Sequence, residues 1–404
     1  MKKLITSENL IYLTIFSLPL YLVRFSILGV PTNVLEVLIG VAFVFSLVET
    51  PRRGVSTWRE SYSSYKVYIF YIVLLFLGLF SSLLAGNNYL VSSGIIKSWF
   101  VLPLIFFLTI ILSLPKDKFI NVWKFVYFSA ITVAIIALGY KVLGFVTYDG
   151  RLEVFFNSPN YLAMYLSPGV IIGIQKIQEL SSWKRFGSLI IIVAALYFTY
   201  SYAAWLAIAI SIGIVYWLIY KEAKPQAGGL VSRILIYLII LFVLFISQGQ
   251  SSKFNDFINF DERSSLSSRM MIWRASAKIL EDNWIFGIGA ENFQEKYLEY
   301  QKYFPPYLEW AVPHPHNVFL AFWLFAGILG LAGFLGLIFL RLKNSFQNNK
   351  KTPLELVSFG VLVYILLHGL VDTTYFKNDL AMIFWLCFLH VKPIKSSVSS
   401  IYKE

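Results

Sequence analysis

The sequence predicts an all-α polytopic membrane protein, and three observations support this fold class. First, 58% of the 404 residues are hydrophobic and only 14% are charged, whereas average usage is about 25% charged. Second, the apolar residues form long stretches, and about 20 residues of helix cross a bilayer. Third, stretches such as Leu189–Ile192 and Leu235–Ile246 do not alternate apolar with polar residues, as the strands of a membrane barrel would. A soluble enzyme and a disordered chain are therefore excluded.

The apolar stretches predict about twelve transmembrane helices. The predicted spans cover roughly residues 10–23, 33–49, 66–85, 95–114, 119–147, 160–175, 186–200, 203–220, 231–248, 316–340, 354–371 and 378–391. We therefore divide the chain into helices one to nine (1–248), a long loop (249–315), and helices ten to twelve with a C-terminal tail (316–404). The first segment lacks a small-residue cleavage site, so we expect it to remain as the first helix.

The basic residues predict the orientation of these helices, because they are retained on the cytoplasmic side. Of the 34 lysines and arginines, 22 lie on the side that holds the N-terminus and every second loop. We expect both termini to be cytoplasmic and the loop 249–315 to be extracytoplasmic. This asymmetry accounts for most of the net charge of +12, so nucleic acid is not needed to explain it. The single cysteine, Cys387, excludes an intramolecular disulfide and a thiolate metal site.

The long loop is the one segment large enough to form a small unit outside the membrane. Residues 265–282 predict an amphipathic helix, since apolar residues recur there at helical spacing after a serine-rich start. Gly287 and Gly289 break this pattern, and residues 291–304 predict a second helix that ends before Pro305.

A pair of histidines follows the loop directly, in Pro313-His314-Pro315-His316-Asn317. Imidazole titrates near neutral pH and can take a proton from a hydroxyl group. The alternative is that this segment only caps the tenth helix. We predict no metal site here, because a structural or catalytic metal needs more ligands than this pair supplies.

Two further segments contain arginines that suit an anionic ligand. Ser268-Arg269, with Trp273, lies at a helix start, where a planar guanidinium and free amides favour phosphate. Arg151 and Asn160 lie in a short loop that enters the sixth span. The alternatives are a solvated helix face for the first segment and an ordinary capped turn for the second.

The last candidate segment runs from His368 to Asp372, at the end of the eleventh span. An ionisable residue at membrane depth usually faces the bundle interior or a water-filled cavity. Arg24 and Lys97 also lie at predicted outer helix ends, where each could equally be a snorkelling side chain. All these candidates fall on one predicted face, which indicates one site at the outer membrane surface.

These motifs together resemble the O-antigen ligase and polymerase superfamily of bacterial membrane glycosyltransferases. The most specific match is His316-Asn317, then nine residues, then Gly327-x-x-Gly330. Ser268-Arg269 with Trp273, Arg151 with Asn160, and His368 to Asp372 are similar to other family segments. The resemblance covers roughly residues 150–390.

The resemblance implies a glycosyltransferase-C-like enzyme that moves a glycan from undecaprenyl diphosphate to an acceptor hydroxyl, without cofactor or metal. His316 would be the general base, Arg269 would offset charge on the leaving diphosphate, and Asn317 and Asp372 would orient the site. The donor diphosphate would bind Arg269, Arg151, Arg24 and Ser268. Supporting roles would fall to His314, Trp273, Asn160, Gly327, Gly330 and His368.

One departure from the family bears on the donor site, because Tyr202 stands where the family often has a hairpin arginine. We expect Arg151 or Arg24 to replace that charge. The acceptor stays open: a lipid or glycan for a ligase, a growing chain for a polymerase, or a protein hydroxyl for an O-oligosaccharyltransferase. A transporter or flippase without chemistry is the alternative of another class, although the charges cluster at one face rather than near the midplane.

Overall fold

The structure is a computed structural model that describes residues 6–27, 29–49, 55–85, 88–175, 181–223, 239, 243–249, 254, 265–305, 312–347 and 351–389. It is almost entirely helical. The first part of the chain contains α1 (Ser7–Phe16), strands β1 (Arg24–Ile27) and β2 (Val30–Asn33), α2 (Val34–Glu49), α3 (Val55–Ala85), α4 (Tyr89–Ile96), α5 (Leu102–Ser113) and α6 (Phe119–Val142). The second part contains α7 (Pro159–Ile174), α8 (Ser182–Tyr197), α9 (Tyr202–Ala223), α10 (Ser265–Asn283), α11 (Phe293–Tyr300), α12 (Val318–Gln347), α13 (Pro353–His368) and α14 (Asn378–Leu386).

A helix overlaps each predicted span except the ninth, most of which lies outside the described residues. In the first predicted span, 10–23, the helix α1 ends at Phe16. Within the described part of the chain, five helical segments are long and apolar enough to cross a membrane. They are Tyr65–Leu84, Tyr89–Ser113, Lys116–Val142, Tyr202–Ile219 and Val318–Gln347. The protein is therefore a mostly helical, multi-pass membrane protein, and the count of twelve spans stays a prediction.

Helices α3 and α12 form the most extensive helix pair, and glycines allow their backbones to approach closely. A methyl group added at Gly78 of α3 would clash with the backbone of Ala326 and Gly330 on α12. Small residues at such positions are typical of membrane helix packing, where close van der Waals contact replaces the hydrophobic effect. Gly330 of the predicted Gly-x-x-Gly motif therefore has a packing role.

The other motif glycine, Gly327, interrupts α12 and locks it to the segment after α10. Gly327 has φ +62° and ψ −169°, a conformation that is essentially restricted to glycine. The kink frees backbone groups, and two backbone hydrogen bonds satisfy them: Ile288 N–H donates to the Leu324 carbonyl at 2.6 Å, and Ile328 N–H to the Ile285 carbonyl at 3.0 Å. The Gly-x-Gly and Gly-x-x-Gly segments are thus two halves of one contact.

Replacing Gly327 by alanine is expected to destabilise the protein by about 2 kcal/mol or more, because the backbone conformation is strained for any L-residue and the new methyl group would clash with the Ile285 carbonyl oxygen. Thermal unfolding in detergent measures the effect. Gly139→Ala in α6 is the matched control, since no atom lies within 4 Å of its added methyl group. Equal melting temperatures for the two variants would contradict this account of the kink.

An antiparallel hairpin, β1–β2, stands between α1 and α2, where no strand was predicted. Arg24 pairs with Asn33, and Phe25 with Thr32. Successive side chains of a strand point to opposite faces. Arg24 is therefore on one face of the hairpin, and Phe25 and Ile27, which are 42% and 49% exposed, are on the other face. Four residues are too few for the periodicity of a strand to be visible in an apolar sequence.

Candidate active site

Four separate segments meet at one end of the bundle and form the candidate site. They are the loop before α7, the start of α10, the turn before α12, and the turn between α13 and α14. Each segment follows or precedes a helix end, so polar backbone groups are available there without disturbing the apolar helices. The structure thus brings together residues that are more than 200 positions apart in the chain.

Asp372 is the centre of this site, and its side chain is 2% exposed. One carboxylate oxygen, Oδ1, accepts hydrogen bonds from His316 Nδ1 at 3.2 Å and from the Thr373 N–H at 2.9 Å. The other, Oδ2, accepts from Asn160 Nδ2 at 3.2 Å and lies 3.5 Å from Arg269 Nη2. A buried carboxylate is stable only with such partners.

The neighbours of Asp372 keep its carboxylate ionised. Burial alone would raise the pKa of Asp372, but His316 and Arg269, with His314 adding to the effect, lower this pKa below its usual range. An ionised Asp372 accepts hydrogen bonds only, so His316 Nδ1 must be the donor. In a neutral imidazole the other nitrogen, Nε2, then has its lone pair available for a proton.

The backbone around His316 is held in an unusual conformation. His316 has φ +46°, a left-handed value that is uncommon for residues other than glycine and asparagine. The indole N–H of Trp273 donates to the carbonyls of Pro315 and His316 at 3.1 and 3.3 Å. Trp273 therefore positions the histidine rather than forming part of a ligand surface, and His316 remains 27% exposed.

Asn317 and His368 fix the two chain segments that carry His316 and Asp372. Asn317 Oδ1 caps α12 by accepting from the N–H groups of Phe319 and Leu320, and its Nδ2 donates to the Leu370 carbonyl at 2.8 Å. His368 is 1% exposed and its Nδ1 lies 2.6 Å from the Tyr364 hydroxyl. The geometry gives both residues a positioning role.

Arg269 and Arg151 form the cationic side of the site, although protein groups already occupy much of each guanidinium. Arg269 donates from Nε to the Val371 carbonyl at 2.7 Å, in addition to its ion pair with Asp372. Arg151 donates from Nη2 to Asn160 Oδ1 and from Nε to the Thr199 carbonyl, both at 2.8 Å. Arg151 thus contacts the hairpin before α9, where Tyr202 stands.

His314 and Tyr161 lie beside His316, and His314 is also close to Asp372. The two histidine rings are 4.4 Å apart, and His314 Nε2 lies 2.7 Å from the Tyr161 hydroxyl. Burial, with the neighbouring His316 as the next cause, lowers the pKa of His314 to about 3, so His314 is neutral at physiological pH. The ammonium group of Lys377 sits 4.3 Å from the centre of the Tyr161 ring.

His314, His316 and Asp372 also offer one possible metal-ligand atom each, within 4.8 Å of one another. This set goes beyond the histidine pair considered from the sequence, because Asp372 adds a third ligand. An ion bound there would displace the His316–Asp372 hydrogen bond. Metal independence therefore stays a prediction.

Some predicted site residues lie apart from Asp372. Arg24 lies on the exposed hairpin β1–β2, and Ser268 is buried on α10. Tyr161 and Lys377 were not predicted as site residues. The sequence has no signal for Tyr161, since aromatic residues are frequent in its helices, whereas the position of Lys377 among few predicted outer cations could have indicated it.

An apolar groove of about 600 Å³ opens beside the hairpin that holds Arg151. It runs between α7, α8 and α9, and its lining includes Val170, Leu189, Ala194 and Ile212. Tyr197 and Phe198 line one end of it, directly before Thr199, whose carbonyl accepts from Arg151.

One segment of the chain matches a known family. Residues 187–335 match the family model described as O-antigen ligase, and no curated protein matches the chain. The matched segment contains Arg269, His316, and the glycines of the α12 contact. The match confirms the resemblance of residues 187–335 to the O-antigen ligase and polymerase superfamily.

Proposed function

We propose that this protein transfers a glycan from a polyprenyl-diphosphate donor to an acceptor hydroxyl at the outer face of a bacterial cytoplasmic membrane. The observation that carries the proposal is the pairing of His316 with the buried Asp372. This pairing leaves Nε2 of a half-buried imidazole with its lone pair available. It is the arrangement of a histidine base held by a carboxylate, in a segment of an O-antigen ligase family.

In the proposed reaction His316 Nε2 takes the proton of the acceptor hydroxyl as its oxygen attacks the anomeric carbon of the donor glycan. A new glycosidic bond forms, and the bond between the anomeric carbon and the diphosphate oxygen breaks. The polyprenyl diphosphate leaves with the bonding electrons. Asp372 stabilises the imidazolium that forms on His316, as charge complementarity requires.

The cations Arg269 and Arg151 would offset the charge that develops on the leaving diphosphate. Arg269 is 17% exposed in its side chain. Arg151 donates to the Thr199 carbonyl in the hairpin where Tyr202 stands in place of the arginine that the family often has. Two guanidinium groups beside a leaving diphosphate can stabilise its negative charge as a divalent metal would. We therefore propose a metal-independent reaction.

The apolar groove between α7, α8 and α9 would bind the part of the polyprenyl chain nearest the diphosphate. Its lining is apolar along its length, and its end at Phe198 adjoins the hairpin that holds Arg151. A lipid chain in this groove would thus place the diphosphate beside the two arginines. Ligase, polymerase and protein O-oligosaccharyltransferase would share this donor site and differ in the acceptor.

Purified protein in detergent tests the proposal, with release of undecaprenyl diphosphate from an undecaprenyl-diphosphate oligosaccharide as the readout. Release that depends on an added acceptor and continues in a chelator is expected. Detergent has no compartments, so a transporter or flippase would release nothing. Loss of the reaction in a chelator, with recovery on adding a divalent metal, would instead assign His314, His316 and Asp372 to a metal.

A further inference from the structure

Lys141, in the last turn of α6, is a cation to which the proposed reaction gives no role. Its ammonium group lies 5.0 Å from the centre of the Phe198 ring, and Phe198 is part of the lining of the apolar groove. Lys141 Nζ also donates to the Gly150 carbonyl at 3.5 Å, one residue before Arg151. Since Arg151 donates to the Thr199 carbonyl, two cations contact adjacent residues of the hairpin between α8 and α9.

Lys141 is not neutralised by the protein groups around it. Among the described residues, no carboxylate oxygen lies within 4.0 Å of its ammonium group. The carboxylate of Asp149, in the next loop, accepts instead from the Thr147 hydroxyl. By contrast Lys118, just before the same helix, forms an ion pair with Glu8 at 2.6 Å. A bond of 3.5 Å to one carbonyl is weak, so Lys141 keeps its charge and its donors for an anion.

The alternative is that Lys141 only caps the end of α6. The carbonyls of Gly139, Tyr140 and Lys141 already accept hydrogen bonds from backbone N–H groups of residues 143–145, as at many helix ends. The side chain of Lys141 is therefore not needed to satisfy them. A favourable interaction with the helix dipole does not require the ammonium group to lie over the Phe198 ring.

The segment after Lys141 indicates that its ligand is carried by a lipid. Val142, Leu143 and Phe145 are 86%, 70% and 61% exposed, which is typical of residues that contact lipid at a membrane surface. A lysine at this level keeps its stem against apolar groups and its ammonium group among the headgroups. An anion at Lys141 would thus lie between an apolar groove and a lipid-contacting segment, where an anionic lipid has its headgroup.

A series of contacts connects this position to the candidate base. Arg151, next to the carbonyl that Lys141 contacts, donates to Asn160 at 2.8 Å, and Asn160 donates to Asp372 at 3.2 Å. Asp372 holds the base and forms the ion pair with Arg269. Lys141 is therefore at the end of the series that adjoins the groove, and Arg269 is at the end that adjoins the base.

We propose that Lys141 binds the phosphate that carries the polyprenyl chain of the donor. The phosphate that carries the sugar would then lie nearer to Arg269 and His316. This inference rests on the proposed function, because it takes the groove as the site of the polyprenyl chain. Lys141 has no contact with His316, so its contribution is to donor binding and not to proton transfer.

Competition between two lipid probes tests this assignment with the full-length protein in a non-ionic detergent. The probes are geranylgeraniol and its phosphate monoester, which carries only the phosphate next to the chain, and native mass spectrometry measures how much of each is bound. The wild type is expected to prefer the phosphate about tenfold, as one charge-assisted hydrogen bond would give. Lys141→Met, which keeps an apolar stem, is expected to bind both probes equally and geranylgeraniol as the wild type does.

Two control variants and one competitor complete the experiment. Lys141→Arg keeps the charge, and Lys302→Met removes an exposed lysine that lies over another ring, Tyr303, at 5.2 Å. Both should keep the preference. Phosphatidic acid tests whether a membrane phospholipid is the ligand instead, and it should not displace the phosphate probe.

Three results would overturn the inference: equal binding of both probes by the wild type, an unchanged preference in Lys141→Met, or displacement by phosphatidic acid. Binding is measured without turnover, so the proposed function can fail separately. A protein that shows the preference dependent on Lys141 and yet transfers no glycan would support the lipid-phosphate site and contradict the transferase.

Discussion

Replacing His316 by asparagine is expected to reduce glycan transfer by about 10²–10⁴-fold, the range that a general base contributes. Asparagine accepts the left-handed backbone at this position, where φ is +46°. Its amide can still donate to Asp372, but it cannot take a proton. Initial rates with a purified lipid-linked donor measure the effect.

The comparison with His316→Ala separates chemistry from folding in this experiment. Alanine is poorly suited to the left-handed conformation, so we expect His316→Ala to lose melting temperature as well as activity. His316→Asn should keep the melting temperature and the donor affinity of the wild type. Activity of His316→Asn within a few-fold of the wild type would show that His316 is not the base.

Replacing Asp372 by asparagine is expected to lower kcat by about 10²-fold, the typical effect of removing one preorganised electrostatic group. The amide of asparagine cannot stabilise an imidazolium at His316. Its NH₂ group is itself a hydrogen-bond donor and would lie against another hydrogen-bond donor. Donor KM should change little, because Asp372 lies 98% buried behind His316 and Arg269. Steady-state kinetics in the donor concentration separate the two parameters.

This variant also leaves Arg269 without its carboxylate, so its melting temperature should fall. Loss of the partner of a buried charge is destabilising because the remaining charge stays desolvated. The double variant Asp372→Asn/Arg269→Gln removes both charges and should recover stability without recovering activity. Recovery of activity in the double variant would contradict the role of Asp372 as the partner of His316.

The sequence predicted much of the candidate site, because its motifs lie at helix ends that the topology brings to one face. The spacing of His316 from Gly327 came from the resemblance to a family, whereas Asp372 was first indicated by its chemistry, as an ionisable residue at the end of a predicted span. The proximity of Asp372 to Asn160 could not be derived in this way, since no periodicity relates two residues on separate helices that are 212 positions apart. The same holds for Arg151 at the Thr199 hairpin.

The contact between Gly287 and Gly327 shows a second limit of sequence reasoning. Gly287 indicated a break after the amphipathic helix, whereas the predicted span 316–340 contained no break at Gly327. Only the packed structure shows that the two breaks satisfy each other's backbone groups. The hairpin β1–β2 was missed because each strand is only four residues long and β2 contains a proline. Lys377 was used only to predict the orientation of the helices, because its contact with the Tyr161 ring is visible only in the structure.

Mass spectrometry of the product formed from a defined undecaprenyl-diphosphate oligosaccharide and a hydroxyl-bearing acceptor tests the central claim most directly. The expected product has the mass of acceptor plus oligosaccharide, joined through the sugar that was attached to the diphosphate. This product should form with the wild type and be lost with His316→Asn. An intact donor after prolonged incubation with the folded wild type and a range of glycan, lipid and peptide acceptors would contradict it.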